Sequence, residues 1–421
     1  MLTSTVLGTT AYALRIRLEP NPTRTTVNAS GINTTTGIGE SSARVTCAMR
    51  NSGAPQKARE WTIYRESPVL GSASVVACDL ALALSAMVGH VPRLDSAMVI
   101  GELGLDGTVR PLAGVTPMVE LARRLGLDTV ILPRDCYHEA QDVEGCPDLV
   151  PVGSLEEALA YARDGVVPEA PTEPVVPHRP VPTFEPVRIE AGVLSVVQEA
   201  IDSRRNLLLV GPPGAGKTLI ARRVASIMPD LEGAERASVA RIWSAAGLIG
   251  AGRHIGTRRP FRAPHHTLST AAMIGGGARM HPGEISLANN GVLFLDNLPE
   301  FRRAVIDVAR YAYLEEASII MRSGITSRID ARPRMVIGAM NPCPCGWHGV
   351  DGSHWARECV CMADSIERYM ARTSAFVATF DPVRIEVRPY EGEILLKRCA
   401  QIVRRHISWT DLETKLTHTK D

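Results

Sequence analysis

Short apolar runs alternate along this chain with stretches in which apolar residues return every three or four positions, the signatures of buried strands and amphipathic helices. Ser96 to Gly101 and Thr129 to Leu132 read as buried strands, and between them Met118, Leu121, Ala122 and Leu125 share a helical face ahead of Gly126, a C-terminal cap. A second helix has clearer ends. Ser154 and Glu157 form a capping box, Leu155, Ala158, Leu159 and Ala162 make one apolar stripe, and Gly165 stops it. This pattern predicts a compact α/β domain over residues 1–166. From Val167 to Pro186 the pattern gives way to prolines at 168, 171, 174, 177, 180, 182 and 186, a density that blocks helix and central strand and predicts an extended linker.

Beyond the linker, Asn206 to Val210 reads as a strand, followed by a glycine-rich loop and a helix whose Ile220, Val224, Ile227 and Met228 share a face before Pro229. Gly291 to Leu295 and Met335 to Met340 are two further apolar strands, each ending on a polar residue, Asp296 and Asn341. Strands with polar groups at their C-terminal ends around such a loop predict a parallel sheet with its ligand at that edge. This second domain is expected over residues 187–387, with 388–421 as a short C-terminal remnant.

The loop carries the chemistry. Gly211, Pro212, Pro213, Gly214, Ala215, Gly216, Lys217 and Thr218 fit G-x-x-x-x-G-K-[ST] between a strand and a helix. Glycines let backbone N–H groups curl around a phosphate, and the helix N-terminus adds partial positive charge. Lys217 is expected on the β- and γ-phosphates of ATP, and the Thr218 hydroxyl and Asp296 carboxylate on Mg²⁺. Asn341 is placed to orient an attacking water, although an Asn after a strand also commonly just turns the chain.

Composition adds limits. At 421 residues and 45% hydrophobic, the chain can bury two or three cores. Lys plus Arg (46) balance Asp plus Glu (45), so DNA would have to be met by a local patch. The one dense basic stretch is Arg253, His254, Arg258, Arg259, Arg262, His265 and His266, with Phe261 as its only aromatic; a DNA-facing channel, a solvated face and an inter-subunit contact are all open readings. No apolar run reaches a membrane span and Met1 to Thr10 lacks the order of a secretory signal, so a cytoplasmic location without membrane contact is expected. Nine cysteines do not make a disulfide framework. Four of them, Cys343, Cys345, Cys359 and Cys361, form C-x-C…C-x-C, which suits tetrahedral Zn²⁺ or a set of reduced thiols around a tight turn. Ser72 and Ser74 lie near Asp79, but Lys57 is the only lysine of the first domain, which argues against a Ser–Lys protease.

Longer strings carry a family resemblance. Glu40 to Val45 (ESSARV), Cys78 to Leu84 (CDLALAL), Gly101 to Met118, Asn206 to Thr218, Thr257 to Thr267 (TRRPFRAPHHT), Gly275 to Asp296 and Ala339 to Gly346 (AMNPCPCG) closely resemble the magnesium-chelatase-like AAA+ ATPases. That group includes the chelatase ATPase subunit and the competence-associated proteins that drive branch migration of DNA. The resemblance implies a Lon-protease-like α/β N-terminal domain without protease activity. After it comes a P-loop AAA+ αβα sandwich that assembles as a homo-oligomeric ring, a hexamer, with ATP between subunits.

The sequence departs from the family at four places. Members carry Glu after the strand-ending Asp, where this chain has Asn297, and an amide cannot accept a proton from the attacking water. The S-G-P-L-L-D-R segment, whose Arg is thought to reach the neighbour's γ-phosphate, corresponds here to Thr373 to Phe380, without arginine. The residues after Val387 are too few for the family's helical lid and second sensor arginine, and Glu185 to Ile201 lacks its acidic-Gly-Gln entry. The expectation is ATP binding with slow or absent hydrolysis. Three roles stay open: a DNA-processing ring component, a non-hydrolysing assembly protein, and a chelatase subunit, the last disfavoured by the Lon-like domain.

Overall fold

The computed structural model describes residues 1–20, 26–29, 38–53, 59–65, 76–88, 91–172, 191–249, 253–254, 256–277, 279–322, 325–350 and 357–388. Lys57, Ser72, Ser74, His354 between the two cysteine pairs, residues 173–186 of the proline-rich stretch and residues 389–421 lie outside that set.

The chain opens with β1 (Leu2–Leu7) and β2 (Thr10–Pro20), then β3 (Thr26–Ala29), α1 (Ile38–Asn51), β4 (Arg59–Arg65) and α2 (Asp79–Val88). There follow β5 (Ala97–Val99), the small pair β6 (Glu102–Leu103) and β7 (Val109–Arg110), α3 (Val115–Arg124), β8 (Thr129–Pro133), α4 (Tyr137–Gln141), β9 (Asp148–Val152) and α5 (Leu155–Asp164). Seven strands make one sheet in the order β3-β4-β2-β1-β5-β8-β9. The β1-β5-β8-β9 half is parallel, whereas β2 pairs antiparallel with both β1 and β4. Side chains alternate across it. Val99, Ile131, Val150 and Val152 face α2 and α5, while Met98, Ile100, Val130 and Leu132 face α3 and α4. The capping expectations hold, since Ser154 accepts from the Glu157 N–H and Gly165 ends α5 in a left-handed conformation. The Glu157 side chain reaches back one residue further than a capping box requires, to the Gly153 N–H at 2.7 Å.

The second half contains α6 (Ala191–Asp202), β10 (Leu207–Val210), α7 (Lys217–Ile227), α8 (Gly233–Ala245), β11 (Phe261–Arg262), α9 (Thr270–Ile274), β12 (Gly275–Gly276), β13 (His281–Pro282) and α10 (Glu284–Leu287). It continues with β14 (Val292–Leu295), α11 (Arg303–Leu314), the hairpin β15 (Ala317–Arg322) and β16 (Ile325–Asp330), β17 (Met335–Met340), α12 (Ala363–Ala371), α13 (Ser374–Phe380) and β18 (Val383–Glu386). The order β11-β14-β17-β10-β18 is parallel throughout. Leu207, Leu209, Phe294, Ile337 and Ala339 pack against α6 and α7 on one face, and Leu208, Val210, Leu293, Leu295 and Val336 against α11 and α13 on the other. Thr373 to Phe380, read as the arginine-poor counterpart of a family segment, forms α13, whose Phe376 and Phe380 are buried in this second face.

The two halves are docked through α3 and α8. Arg241 makes a two-pronged contact with Glu120 (2.7 and 2.8 Å), and Arg236 reaches Asp142 at 2.7 Å. At the centre Ser244 donates to the buried Glu139 carboxylate, which also accepts the Thr116 N–H and hydroxyl, each at 3.1 Å. Desolvation raises the Glu139 carboxyl above its ordinary range, against the pull of these donors.

Candidate functional site

Strand order explains why distant residues meet. In the sheet β17 lies between β14 and β10, with Val210 level with Met340 and Leu295 level with Gly338. The residues that follow these strands, Asp296, Asn341 and Gly211, therefore emerge side by side at one C-terminal edge, where α/β sheets bind ligands. Four-residue apolar strands buried along their whole length leave little freedom in that register.

Gly211 to Gly216 form the loop from β10 into α7. Gly216, at φ 90°, caps the helix in the left-handed region, where a side chain would be strained. Lys217 is buried, and its ammonium donates to the Gly211 carbonyl (2.7 Å), the Pro212 carbonyl (3.0 Å) and Asn341 Oδ1 (3.0 Å). Desolvation pulls its pKa below the ordinary lysine value, and the Asp296 charge pushes back. The Thr218 hydroxyl donates to Asp296 Oδ2 at 2.9 Å, which sets two oxygen donors next to each other, as a hard divalent cation requires. All the residues expected to act on nucleotide are thus brought together.

Asn297 adopts φ 54°, ψ 49°, a left-handed conformation in which Asn is among the few tolerated side chains, and its N–H donates to Asp296 Oδ1 (3.0 Å). It is exposed beside the Thr218–Asp296 pair. Leu298 to Glu300 continue as a 3₁₀ turn, so the Glu300 carboxylate leaves the strand a turn later than Asn297.

The four cysteines also converge. Their sulfurs all lie within 4.8 Å of one another, with Cys343 to Cys345 at 3.3 Å, Cys345 to Cys359 at 3.6 Å and Cys343 to Cys359 at 3.8 Å. Backbone N–H groups of Gly346 and His348 donate to Cys343 Sγ, and that of Cys345 to Cys361 Sγ. Although burial opposes it, N–H donors from Trp347 and Val360 and the thiols of Cys343 and Cys361 hold the Cys345 thiol down at about 6.

The basic stretch is less free than its composition suggests. Arg259 is bound to Glu235 (2.7 Å) and to the carbonyls of Pro229 and Asn290, and Arg262 grips both oxygens of Glu284. His254 approaches Asp142 at 3.2 Å. Arg253 and Arg258 are exposed. Asp79, near the two serines in sequence, is fully buried and accepts from Arg44 Nε at 2.9 Å, a structural pair. Sequence reading missed Tyr369, a buried side chain whose hydroxyl lies near the Asn341 backbone, and the contact between Pro213 and Gly346. Neither has a sequence signal, since both depend on how α12 and the cysteine loop return to the sheet edge.

Two families match the sequence: "Magnesium chelatase, subunit ChlI" over residues 187–394 and "Subunit ChlI of Mg-chelatase" over residues 23–136. The chain is 34% identical over 348 residues to an uncharacterized protein of Mycobacterium tuberculosis, covering 80% of this chain and 66% of that protein. It therefore spans just under two thirds of the mycobacterial relative's length. It is 31% identical to the uncharacterized protein YifB of Escherichia coli (90% of this chain, 74% of YifB), and 35% identical to the competence protein ComM of Haemophilus influenzae (68% and 56%). A segment of 121 residues is 35% identical to a peroxisomal Lon protease homolog of Danio rerio, covering 27% of this chain and 13% of the homolog. Among the described residues no helix is long and apolar enough to cross a membrane. With its mixed α/β layers, its P-loop sheet edge and relatives matched along most of its length, the chain belongs to the magnesium-chelatase-like AAA+ family.

Proposed function

We propose that this protein binds ATP with Mg²⁺ at the loop Gly211 to Thr218 and hydrolyses it slowly, as a component of a homo-oligomeric, DNA-processing ring. The observation that carries the reading is the convergence of Lys217, Thr218, Asp296 and Asn341 at one sheet edge. In this reading residues 1–166 serve assembly as a Lon-like, non-proteolytic domain and residues 187–387 form the ATPase module. Backbone N–H groups of the loop and the N-terminus of α7 receive the phosphates, and Lys217 exchanges its carbonyl partners for β- and γ-oxygens. Thr218 and Asp296 would hold Mg²⁺, which when bound neutralises phosphate charge. Asn341 orients a water, while Asn297 supplies a carboxamide that can position but not deprotonate it. The role on DNA follows the kinship with a competence protein. Pairing of Arg259 and Arg262 within the chain leaves Arg253 and Arg258 as the basic groups of that stretch for phosphate contact.

A second reading, a nucleotide-binding assembly protein without turnover, is favoured by Asn297 itself. One measurement addresses both: ATP affinity and phosphate release on the purified protein, with and without single-stranded and branched DNA. The first reading expects micromolar binding lost in Lys217→Ala and a small DNA-stimulated turnover. Binding without any release under all conditions selects the second. If Lys217→Ala binds ATP like the wild type, both are wrong.

A further inference from the structure

The cysteine cluster and the phosphate loop touch. Gly346, at φ 90°, lies so close to the Pro213 ring that a Cβ on it would sit 2.6 Å from Pro213 Cδ. Two residues before Cys343, Asn341 accepts from Lys217, and the Tyr369 hydroxyl on α12 lies near its backbone. Cys359 and Cys361 stand just ahead of that same helix. The four sulfurs thus tie the segment following β17 to the start of α12, and both tied segments bear on the phosphate loop.

We propose that Cys343, Cys345, Cys359 and Cys361 bind one Zn²⁺ tetrahedrally, and that this ion braces the wall of the phosphate loop so that its occupancy sets nucleotide affinity. The second half rests on the ATP-binding reading above; the first does not. Four thiolates at about 2.3 Å from zinc stand about 3.8 Å apart, and the observed separations of 3.3, 3.6 and 3.8 Å need only small adjustment. Three backbone N–H donors on Cys343 and Cys361 are the second shell that thiolate ligands use to spread their charge. Binding replaces the thiol protons, which leave to solvent, so no oxidant or reductant takes part. Without the ion, four thiolate-forming groups crowd a turn that Pro213 leans on, and the turn loses its fixed distance from Lys217.

The test counts metal and nucleotide separately on the full chain. Wild type purified under reducing conditions should carry one zinc per chain by elemental analysis. The C359S/C361S double variant should carry none and bind a fluorescent ATP analogue, in excess Mg²⁺, at least tenfold more weakly. Wild type stripped of zinc, then returned to Mg²⁺ buffer, should weaken likewise and recover on adding Zn²⁺ alone. The stripped wild type keeps every side chain, so it guards against a double variant that fails to fold. Zinc below a tenth of an equivalent with no uptake of added Zn²⁺ overturns the metal site. Full zinc in the wild type, with nucleotide affinity unchanged once the ion is stripped, overturns the brace. Zinc-loaded wild type that binds no nucleotide at millimolar concentration overturns the ATP reading and the brace together, and leaves the zinc count standing.

Discussion

Asn297 shows how a single side chain and its backbone can be matched. At φ 54° a residue other than Gly pays roughly 1 kcal/mol, with Asn among the exceptions because its short amide bonds locally. Glutamate there would carry a carboxylate to the Thr218–Asp296 pair at a modest conformational cost. We therefore expect Asn297→Glu to lower the melting temperature slightly and to raise ATP turnover at least tenfold, read as steady-state phosphate release. An unchanged rate would place the block elsewhere in the site. The identity of position 297 was legible from the sequence, but its left-handed backbone was not. That conformation arises where β14 stops and Pro299 forces the turn that follows.

Elements divide by how loudly they announce themselves. β10, β14 and β17 could be read directly because both faces of a central parallel strand are buried, leaving an uninterrupted apolar run. The edge strands β11 and β18 escaped notice, the first because it is two residues long and the second because Val-Arg-Ile-Glu alternates like an exposed segment. The hairpin β15–β16 and the antiparallel β1–β2 were missed because polarity does not follow burial there: β15 exposes Ile319 and Met321 and buries Ser318, and β1 buries Thr3, Ser4 and Thr5. Joining the central elements is Asn206, whose Nδ2 donates to the Phe380 carbonyl (2.7 Å) and Tyr313 hydroxyl (3.2 Å) while Oδ1 accepts the Val336 N–H (2.7 Å). Asn206→Ala would strand a buried N–H and a buried carbonyl from two different elements. It should cost about 2–4 kcal/mol in urea unfolding. A loss under 1 kcal/mol would mean that water or a shifted α13 replaces those bonds.

For the molecule as a whole, the docking of α3 on α8 was invisible in the sequence, since Thr116, Glu139 and Ser244 are ordinary residues until folding buries them together. The family and the phosphate loop were readable because contiguous strings specify them. This interface is assembled from separate strings that no spacing rule connects. Burial raises the Glu139 carboxyl above its ordinary 4.5, so the folded chain holds that proton more tightly than the unfolded one. Its contribution is complete below pH ~4.5 and is lost as pH rises through the raised value. Glu139→Gln should flatten this pH dependence, measured as unfolding midpoints from pH 4 to 8. A variant that follows the wild-type curve would show that the carboxyl does not titrate there.

That interface has a mechanical consequence. Arg241, Arg236 and Ser244 all lie on α8, and each is tied to the first half of the chain. In the ring proposed above, any tilt of the P-loop body would then drag the seven-stranded sheet with it as a lever. A small rotation at the nucleotide would become a larger sweep at the far edge of that sheet, where β3 and β4 lie.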